Sequence, residues 1–493
     1  MSRPYHQRLT MLDSSFLAME GPSTHMHVAS TILFDAGPVS RPEGGIDADR
    51  IREYVRSRLH LIPRFRQRLV RIPVERHPVW VDDDHFNLHY HVRHTSLPYP
   101  GDERQLKRLS ARIMSQQLDR AKPLWETWVV EGLDNGKRFA LINKTHHCMI
   151  DGISGADLIS VLLQLSPDED FDEAAEWNPR PAPHGLELVR DAIAHRVEAP
   201  WSILRRVPDA LRSPGAALAG IRENVAALGE ALSAQWRPAP RTPLNRPIGP
   251  HRRFDWLAMD LADLKEVKDR LGGSLNDVVL ATVAGAVGRF LERRRVNVDR
   301  LEVRAFVPVS VRTAAERGRL GNRVAAWMVP LPIAERDPRR RIGRVSETTA
   351  RLKRSRQALG AEVLSAVSEW SGSALLSLAL QLASRIPPFN LVVTNVPGPQ
   401  MPLYLLGARM LECYPVVPLY VNQGLGIALF SYARRIYWGF NADYELLPDL
   451  HDFVEAIAAS FRELQGAARE EKAAAPAAAR RERKRRRAKA PSA

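Results

Sequence analysis

The chain of 493 residues has only two cysteines, Cys148 and Cys413, which lie far apart in the sequence. So few thiols argue against a disulfide framework and favour a reducing compartment. The N-terminus lacks the charged-then-apolar pattern of a signal peptide. No uncharged run predicts a transmembrane helix, because residues 370–384 are too few and residues 413–433 are broken by prolines and glycines. These absences predict a cytoplasmic protein without a membrane span.

Several motifs of cofactor-dependent and covalent enzymes are also absent. The sequence contains no P-loop, no H-E-x-x-H and no G-x-G-x-x-G. The G-x-S-x-G nucleophile elbow is missing too, since Gly152-Ile-Ser-Gly155 has the wrong spacing. No group of ligands has zinc-like spacing. We therefore expect neither a metal site nor a resident cofactor.

Positive charge exceeds negative charge by 15, but the excess is unevenly distributed. Residues 480–489 hold eight basic side chains and one acidic one, directly after the alanine-rich residues 473–479. This composition predicts a disordered tail that is only solvated. Contact with anionic lipid, or with nucleic acid without sequence specificity, is the alternative.

The stretch T-H-H-C-M-I-D-G, residues 145–152, concentrates the chemistry of the chain. Residues 138–144 before it are short and mostly apolar, and they follow the turn signal Asp-Asn-Gly at 134–136, so they predict a buried strand. Residues 154–157 after it read Ser-Gly-Ala-Asp, a capping box that opens an amphipathic helix. A strand, a tight turn and a capped helix are therefore expected around the two histidines.

Because side chains alternate along a strand, His146 and His147 should point to opposite sides, and only one of them can face a reaction centre. One histidine is then the candidate general base, and divergent histidines make a poor metal site. The same alternation directs Cys148 away from His147 and argues against a cysteine nucleophile. A turn at Gly152 would fold Asp151 back onto an imidazole or a cation, and we favour a structural role for it.

The length of the chain predicts two domains, since single hydrophobic cores stop growing below this size. Proline clusters at 178–183 and 237–250 bracket a segment that mixes apolar residues with arginines. We interpret that segment as a helical connector, with an interfacial amphipathic helix as the alternative. The predicted units are an N-terminal domain (1–177), a helical and proline-rich linker (178–250), a C-terminal domain (251–468) and a disordered basic tail (469–493).

In the predicted C-terminal domain, Ser274 and Asp277 form a capping box, so Asn276 and Asp277 have a purely helix-starting interpretation. Residues 390–396 predict a strand that ends in the rigid turn Pro397-Gly-Pro399. Further elements are predicted from composition and periodicity: strands at 86–92, 424–432 and 436–441, and a last helix at 450–465.

The pair of histidines also carries a family resemblance. His146-His147-x-x-x-Asp151-Gly152 resembles the HHxxxDG motif of coenzyme A-dependent acyltransferases and peptide condensation domains. Additional segments, in family order over residues 5–465, resemble the bacterial wax ester synthase/diacylglycerol acyltransferase family: Pro123-Leu124-Trp125, Asn276-Asp277-Val278, Pro308-Val-Ser310, Gly321-Asn322 and Asn395-Val-Pro-Gly-Pro399. One departure is the turn at 433–435, which lacks the expected glycine.

This resemblance implies an α/β fold of two chloramphenicol acetyltransferase-like domains, with the active site at their interface and a tunnel through the molecule. Acyl-coenzyme A, as co-substrate, would enter one mouth and the acceptor alcohol the other. It also implies that His147 is the general base, that His146 and Gly152 complete the motif, and that Asp151 supports the loop. Candidate substrate contacts or oxyanion donors are Pro123, Leu124, Trp125, Thr394 and Asn395.

The expected function is an O-acyltransferase that moves a fatty acyl group from acyl-coenzyme A to diacylglycerol, with long-chain alcohols as further acceptors. Two alternatives remain open. One is an acyltransferase or condensation enzyme that uses a carrier-protein thioester, and the other is a non-catalytic lipid-surface protein. The expected location is the cytoplasm, including peripheral contact with the inner face of the membrane or with lipid droplets, and no specific nucleic-acid partner is expected.

Overall fold

A computed structural model describes residues 5–149, 161–168, 171, 173–194, 238–310, 324–358 and 388–488. The strands in this part of the chain are β1 (Gln7–Arg8), β2 (His27–Asp35), β3 (Gln67–Arg71), β4 (Pro78–Asp82), β5 (Val92–Ser96), β6 (Trp125–Leu133), β7 (Arg138–His146), β8 (Arg252–Asp260), β9 (Val303–Ser310), β10 (Val324–Leu331), β11 (Leu391–Pro397), β12 (Tyr404–Leu405), β13 (Ala408–Val416), β14 (Leu425–Tyr432) and β15 (Arg435–Asp443). The helices are α1 (Met11–Met19), α2 (Ala48–Arg58), α3 (Leu88–His91), α4 (Glu103–Met114), α5 (Leu261–Leu271), α6 (Leu275–Arg293), α7 (Pro338–Ala358) and α8 (Leu450–Ala488), and residues 185–194 are also helical.

The N-terminal half is built on a six-stranded sheet in the order β12-β13-β2-β7-β6-β5. A smaller sheet, β1-β4-β3, belongs to the same half. The predicted strand before the His motif is confirmed as β7, an inner strand whose residues Phe139 to Ile142 are all buried. It pairs antiparallel with β2, and this register places His27 opposite His146.

The C-terminal half is built on a second six-stranded sheet, β10-β9-β11-β14-β15-β8. Helix α6 is almost wholly buried, contributes to one apolar core with strands of this sheet, and packs against α5, α7 and α8. Its length of 19 residues and its run of small apolar side chains allow this close packing of helix on sheet.

The C-terminal half of the chain contributes two strands, β12 and β13, to the N-terminal sheet. β13 pairs antiparallel with β2. The predicted unit 251–468 therefore contributes two strands to the sheet that carries the histidines. This pairing brings C-terminal residues to within two strands of β7.

The two sheets meet where β13 faces β15. A Cβ atom on Gly439 would overlap the carbonyl oxygen of Pro415, so only glycine allows this approach. Beside it, the hydroxyl of Tyr437 donates to the carbonyl of Leu411 at 3.0 Å. Between α4 and β8, Lys107 and Asp255 form an ion pair of 2.7 Å. These contacts fix the halves against each other.

Two local predictions can be compared with the structure. The hairpin of β14 and β15 is confirmed, and its turn uses Ala433 at φ 45° and Arg434 at φ 67°, the left-handed region that the family's glycine would favour. The strand predicted at 86–92 is wrong. Asn87 caps the single helical turn α3 by accepting from the backbone N–H of His89, and an extended chain resumes at Val92.

The C-terminal tail also differs from its prediction, since α8 does not stop near residue 465 but continues as helix through Ala488. The disorder predicted for residues 469–493 is therefore not seen up to residue 488. Alanine, arginine, lysine and glutamate all have high helix propensity, and in sum they favour helix over most of this segment in spite of Pro476.

No single helix in the described ranges has the length and apolarity that a membrane crossing requires. The pair α5 and α6, bent by 94°, meets those two criteria jointly, by length and composition.

Candidate active site

The two histidines of the motif lie where β7 ends and a single 3₁₀ turn, His147–Met149, begins. The backbone N–H of His146 donates to the carbonyl of Leu124 at 2.9 Å, and that of His147 donates to the carbonyl of Met26 at 2.7 Å. The strand therefore stops between them, and each backbone amide is held by a different segment. Their side chains also contact different groups.

The imidazole of His147 stacks on Phe16 of α1, with ring centroids 3.9 Å apart and planes 23° apart. Burial, together with the nearby imidazole of His146, lowers the pKa of His147 to about 4. The ring is therefore neutral at pH 7 and has a lone pair with which to accept a proton. This is the state that a general base needs.

The side chain of His146 is fully buried and faces inward. Its Nδ1 accepts a hydrogen bond from the backbone N–H of Cys148 at 3.1 Å. A neutral imidazole that accepts at Nδ1 carries its proton on Nε2. The Nε2 atom lies 3.6 Å from a carboxylate oxygen of Glu20.

Glu20 stands at the centre of a buried charged cluster that the sequence analysis did not identify. Its side chain, 3% exposed, lies 3.4 Å from Nε2 of His27 and accepts from Nε of Arg120 at 2.9 Å. Burial alone would raise the pKa of Glu20, but contacts with His146, His27 and Arg120 hold it well below its usual range. Burial lowers the pKa of His27 to about 3, so the carboxylate faces a neutral ring at His27, the imidazole of His146 and the guanidinium of Arg120.

The segment Pro123-Leu124-Trp125 supports the His turn from inside the core. All three residues are buried, and the carbonyl of Leu124 is the acceptor for His146. The Trp125 ring stacks on Phe65 and on His91, each at 4.6 Å, and its Nε1 donates to the carbonyl of Phe65 at 2.8 Å. These are packing contacts and internal hydrogen bonds, so the segment supports β7 structurally.

The two residues of the Asn276-Asp277 motif in the C-terminal half lie in different surroundings. The predicted capping box is confirmed, since Asp277 accepts from the backbone N–H of Ser274 at 2.7 Å and also from the hydroxyl of Thr349 at 2.7 Å. Asn276 is exposed, and its side-chain oxygen accepts from Nδ2 of Asn395 at 2.8 Å. The structure thus joins two candidate residues from distant segments.

Thr394 precedes Asn395 on β11 and is partly exposed. The strand ends at Pro397, next to the predicted turn. Gly398 donates its backbone N–H to the hydroxyl of Ser431 at 3.2 Å, and a Cβ there would overlap the ring of Phe430. The glycine therefore lets β11 lie against β14 at its end.

Asp151 and Gly152 lie outside the described residues, as do the predicted capping box at 154–157 and the pair Gly321-Asn322. Within the described ranges, no group of three or more His, Cys, Asp or Glu side chains could hold a metal ion.

Two family models match the chain. The wax ester synthase/diacylglycerol acyltransferase catalytic domain matches residues 9–279, and the C-terminal domain of the same family matches residues 320–465. The chain belongs to the wax ester synthase/diacylglycerol acyltransferase family. The family predicted from the motifs is thereby confirmed.

Curated relatives within this family match over nearly the whole length. A Mycobacterium tuberculosis (strain CDC 1551 / Oshkosh) protein, named as a diacylglycerol O-acyltransferase, is 34% identical over 93% of this chain and 90% of its own. Another protein of that name, from M. tuberculosis strain H37Rv, is 31% identical over 94% of this chain and 97% of its own.

Solved structures confirm the fold class. The wax ester synthase/diacylglycerol acyltransferase from Marinobacter aquaeolei VT8 is similar, with a TM-score of 0.67 and 26% identity over 94% of this chain and 99% of its own. The first condensation domain of the calcium-dependent antibiotic synthetase has a TM-score of 0.55 and 16% identity, over 94% and 96%. At that identity, the second likeness shows the α/β fold alone and does not support a carrier-protein substrate.

Proposed function

We propose that this member of the family transfers a fatty acyl group from acyl-coenzyme A to the hydroxyl of diacylglycerol, and also to long-chain alcohols, with His147 as the general base. Acyl transfer of this class follows from family membership, so the enzyme class predicted from the sequence is confirmed. The observation that carries the residue assignment is the neutral imidazole of His147, stacked on Phe16 at the end of β7.

The proposed step is a single displacement without a covalent enzyme intermediate. The acceptor hydroxyl gives its proton to His147 while its oxygen bonds to the thioester carbon, and the tetrahedral intermediate then loses the coenzyme A thiolate. The burial that lowers the pKa of His147 disfavours a lasting imidazolium, so the proton passes on to the thiolate, whose parent thiol has a pKa of about 8.5. The products are the ester and free coenzyme A, and the step needs no resident cofactor.

The oxyanion of the intermediate requires a hydrogen-bond donor, and we assign this role to the Asn276 and Asn395 pair. Asn395 donates to the Asn276 oxygen at 2.8 Å, so the amide nitrogen of Asn276 and the second N–H of Asn395 can serve a ligand. Thr394 beside them is the other candidate. Donors fixed in advance are worth more than donors that reorient during the reaction.

Product analysis tests this function. Purified protein is incubated with labelled palmitoyl-coenzyme A and either diacylglycerol or hexadecanol, beside a folded His147→Ala variant. Labelled triacylglycerol or wax ester from the wild type alone is the expected result, and the ratio of products gives the acceptor preference. Ester formed equally by the variant would refute the role of His147.

A second donor distinguishes the carrier-protein alternative in the same assay. If palmitoyl-acyl carrier protein supports product formation and palmitoyl-coenzyme A does not, the donor part of the proposal is wrong. Binding to lipid without ester from any donor would favour the non-catalytic alternative.

We also propose peripheral contact with an anionic lipid surface, either the inner face of the membrane or a lipid droplet, through the basic end of α8. Residues 480–489 hold eight basic residues, and seven of them lie in the last turns of α8, which continues to Ala488. Each lysine or arginine near an anionic surface is worth about 1 kcal/mol. Loss of phosphatidylserine vesicle binding after truncation at residue 472, with acyl transfer to a soluble alcohol retained, is the expected result.

A further inference from the structure

Three backbone segments meet around His147, and each holds it in a different way. The end of α1 supplies Phe16, on which the imidazole stacks. The start of β2 supplies the carbonyl of Met26, which accepts the backbone N–H of His147 at 2.7 Å. The end of β7 supplies His146, the preceding residue, whose Nδ1 binds the turn at Cys148.

Glu20 is connected to all three segments. It is the C-cap residue of α1, and its backbone N–H donates to the carbonyl of Phe16 at 3.2 Å. Its carboxylate lies 3.4 Å from Nε2 of His27, the neighbour of Met26, and 3.6 Å from Nε2 of His146. One buried side chain therefore lies at the junction of these three segments, which contact the proposed base in the described part of the chain.

The imidazoles around this carboxylate depend on it for a partner. Both nitrogens of His27 and Nε2 of His146 are buried, and in the described part of the chain none of them makes a hydrogen bond of normal geometry, although Glu20 oxygens lie 3.4 Å and 3.6 Å from the two Nε2 atoms. Buried N–H groups without an acceptor are costly. The carboxylate of Glu20 is the acceptor that the structure places in front of both Nε2 atoms.

We propose that Glu20 is a positioning residue for His147, a proposal that rests on the function assigned above. By attracting the Nε2–H of His146, the carboxylate fixes the tautomer in which Nδ1 is free to accept the N–H of Cys148. That bond shapes the turn that carries His147. By attracting His27, the same carboxylate holds the strand start that binds the His147 amide.

Glutamine has nearly the same shape as glutamate but cannot do this. Its amide presents one acceptor oxygen and one NH₂ group, so it cannot accept from both imidazoles. One ring would face a donor and would have to change tautomer or move. The Glu20→Gln substitution therefore tests the electrostatic role at almost constant volume.

Arg120 provides the means to separate this role from ordinary charge pairing. Its guanidinium binds Glu20 and also donates to the carbonyl of Leu17 at 3.2 Å. Glu20→Gln also leaves Arg120, whose side chain is 42% exposed, without its counter-charge, and any effect of that loss must be separated from the loss at the imidazoles. The double variant Glu20→Gln/Arg120→Gln removes both charges. The remaining difference from the wild type is then the loss of the carboxylate acceptor that faces His27 and His146.

The experiment measures kcat and KM for palmitoyl-coenzyme A in the wild type, the Glu20→Gln variant and the double variant. We expect kcat to fall about 10²-fold in both variants, since small misplacement of a catalytic group has effects of this size, while KM changes by less than about threefold. Recovery of kcat in the double variant would overturn the proposal, because the loss would then come from the unpaired Arg120.

A matched control comes from the C-terminal half. The side chain of Glu335, 6% exposed, pairs with Arg340 at 3.2 Å and Arg344 at 3.1 Å, and it pairs with no imidazole in the described part of the chain. Glu335→Gln removes a buried carboxylate of the same kind. We expect the kcat of this variant to stay within about twofold of the wild type. If its kcat falls as far as that of Glu20→Gln, general destabilisation explains both losses and the proposal is wrong.

A readout independent of activity comes from ¹⁵N NMR of histidine-labelled protein, with His146→Asn used to assign the resonance. The Nε2–H tautomer is expected for His146 in the wild type, and a mixed or inverted tautomer in Glu20→Gln. An unchanged tautomer would overturn the proposal even if kcat falls. If the wild type makes no ester, the proposed function is refuted instead. The NMR spectra would still show whether Glu20 fixes the tautomer of His146.

Discussion

The two adjacent-residue motifs, His146-His147 in the N-terminal half and Asn276-Asp277 in the C-terminal half, are organised alike. In each pair one member is buried and has internal partners: His146 is 0% exposed and faces Glu20, and Asp277 is 4% exposed and caps α6. The other member, His147 or Asn276, is less buried and has fewer internal partners. A motif that looks uniform in sequence thus combines a buried residue that has internal partners with a more accessible one, to which we assign the reactive role.

The pairs differ in electrostatics. The buried member of the His pair lies in a cluster of a carboxylate, a guanidinium and imidazoles, whereas Asp277 is satisfied by hydroxyl and amide donors. A buried ion cluster is sensitive to the loss of any one partner, because a charge is left uncompensated. Substitutions in the two motifs should therefore distinguish losses of activity from losses of stability. The distinction should be clearer in the His pair.

The largest effect is expected at the two histidines. His147→Ala should lower kcat by about 10²- to 10⁴-fold, since it removes the general base, whereas the loss of its stacking on Phe16 should lower the melting temperature less than His146→Ala does. His146→Ala should instead lower the melting temperature, because it leaves Glu20 without one of its partners. Steady-state kinetics and thermal unfolding of both variants check this, and equal loss of stability would contradict the division.

The next effect is expected at the asparagine pair. Asn395→Ala should lower kcat by about 10²-fold, the usual consequence of removing one oxyanion donor, and leave KM for acyl-coenzyme A unchanged. Asn276→Ala should have a smaller effect in the same direction, because it removes the partner that orients Asn395. If the loss appears in KM alone, these residues bind substrate and do not stabilise the oxyanion.

Asp277 should behave as the structural member of its pair. Asp277→Ala should lower the free energy of unfolding by about 2 kcal/mol, since it removes a helix cap and leaves buried donors unsatisfied. Its kcat per folded molecule should stay near that of the wild type. Chemical denaturation beside Asn276→Ala, which should hardly change stability, provides the comparison.

The smallest effect per residue is expected from pH. Burial lowers the pKa of His27 to about 3 and of His91 and His147 to about 4, so these rings stay neutral when folded but bind protons when unfolded below about pH 6.5. The unfolded state then holds more protons, and stability falls as pH falls. Between pH 7.5 and 5.5 each histidine should cost about 1.4 kcal/mol.

Denaturant unfolding at the two pH values measures this loss. His91→Asn should reduce it by about 1.4 kcal/mol, since this ring no longer titrates. Stability that rises on acidification would contradict the assignment of neutral buried rings.

Local patterns predicted the elements that depend on local chemistry. The apolar run before the histidines became β7, the Ser274 to Asp277 capping box began α6, and a hairpin formed at residues 425–443. The failures have local causes as well. Asn87 favours a helical turn over a strand, and the alanine-rich tail favours helix over disorder.

The Glu20 cluster was out of reach of such patterns. Glu20, His27, Arg120 and His146 come from four separate segments, and none has a spacing that signals the others. The only available hint was the presence of titratable residues at element ends, which is common at the surface. Recognising the cluster required the antiparallel pairing of β2 with β7, a contact between residues more than 100 positions apart.

By itself, the sequence determined the family, the α/β class and the pair of imidazoles at a strand end, because each depends on residue types at short, fixed spacing. Only the tertiary structure decided which imidazole faces a carboxylate, that Asn276 meets Asn395, and that β13 crosses into the N-terminal sheet. The physical reason is that hydrogen bonding and burial between distant segments depend on where the whole chain packs.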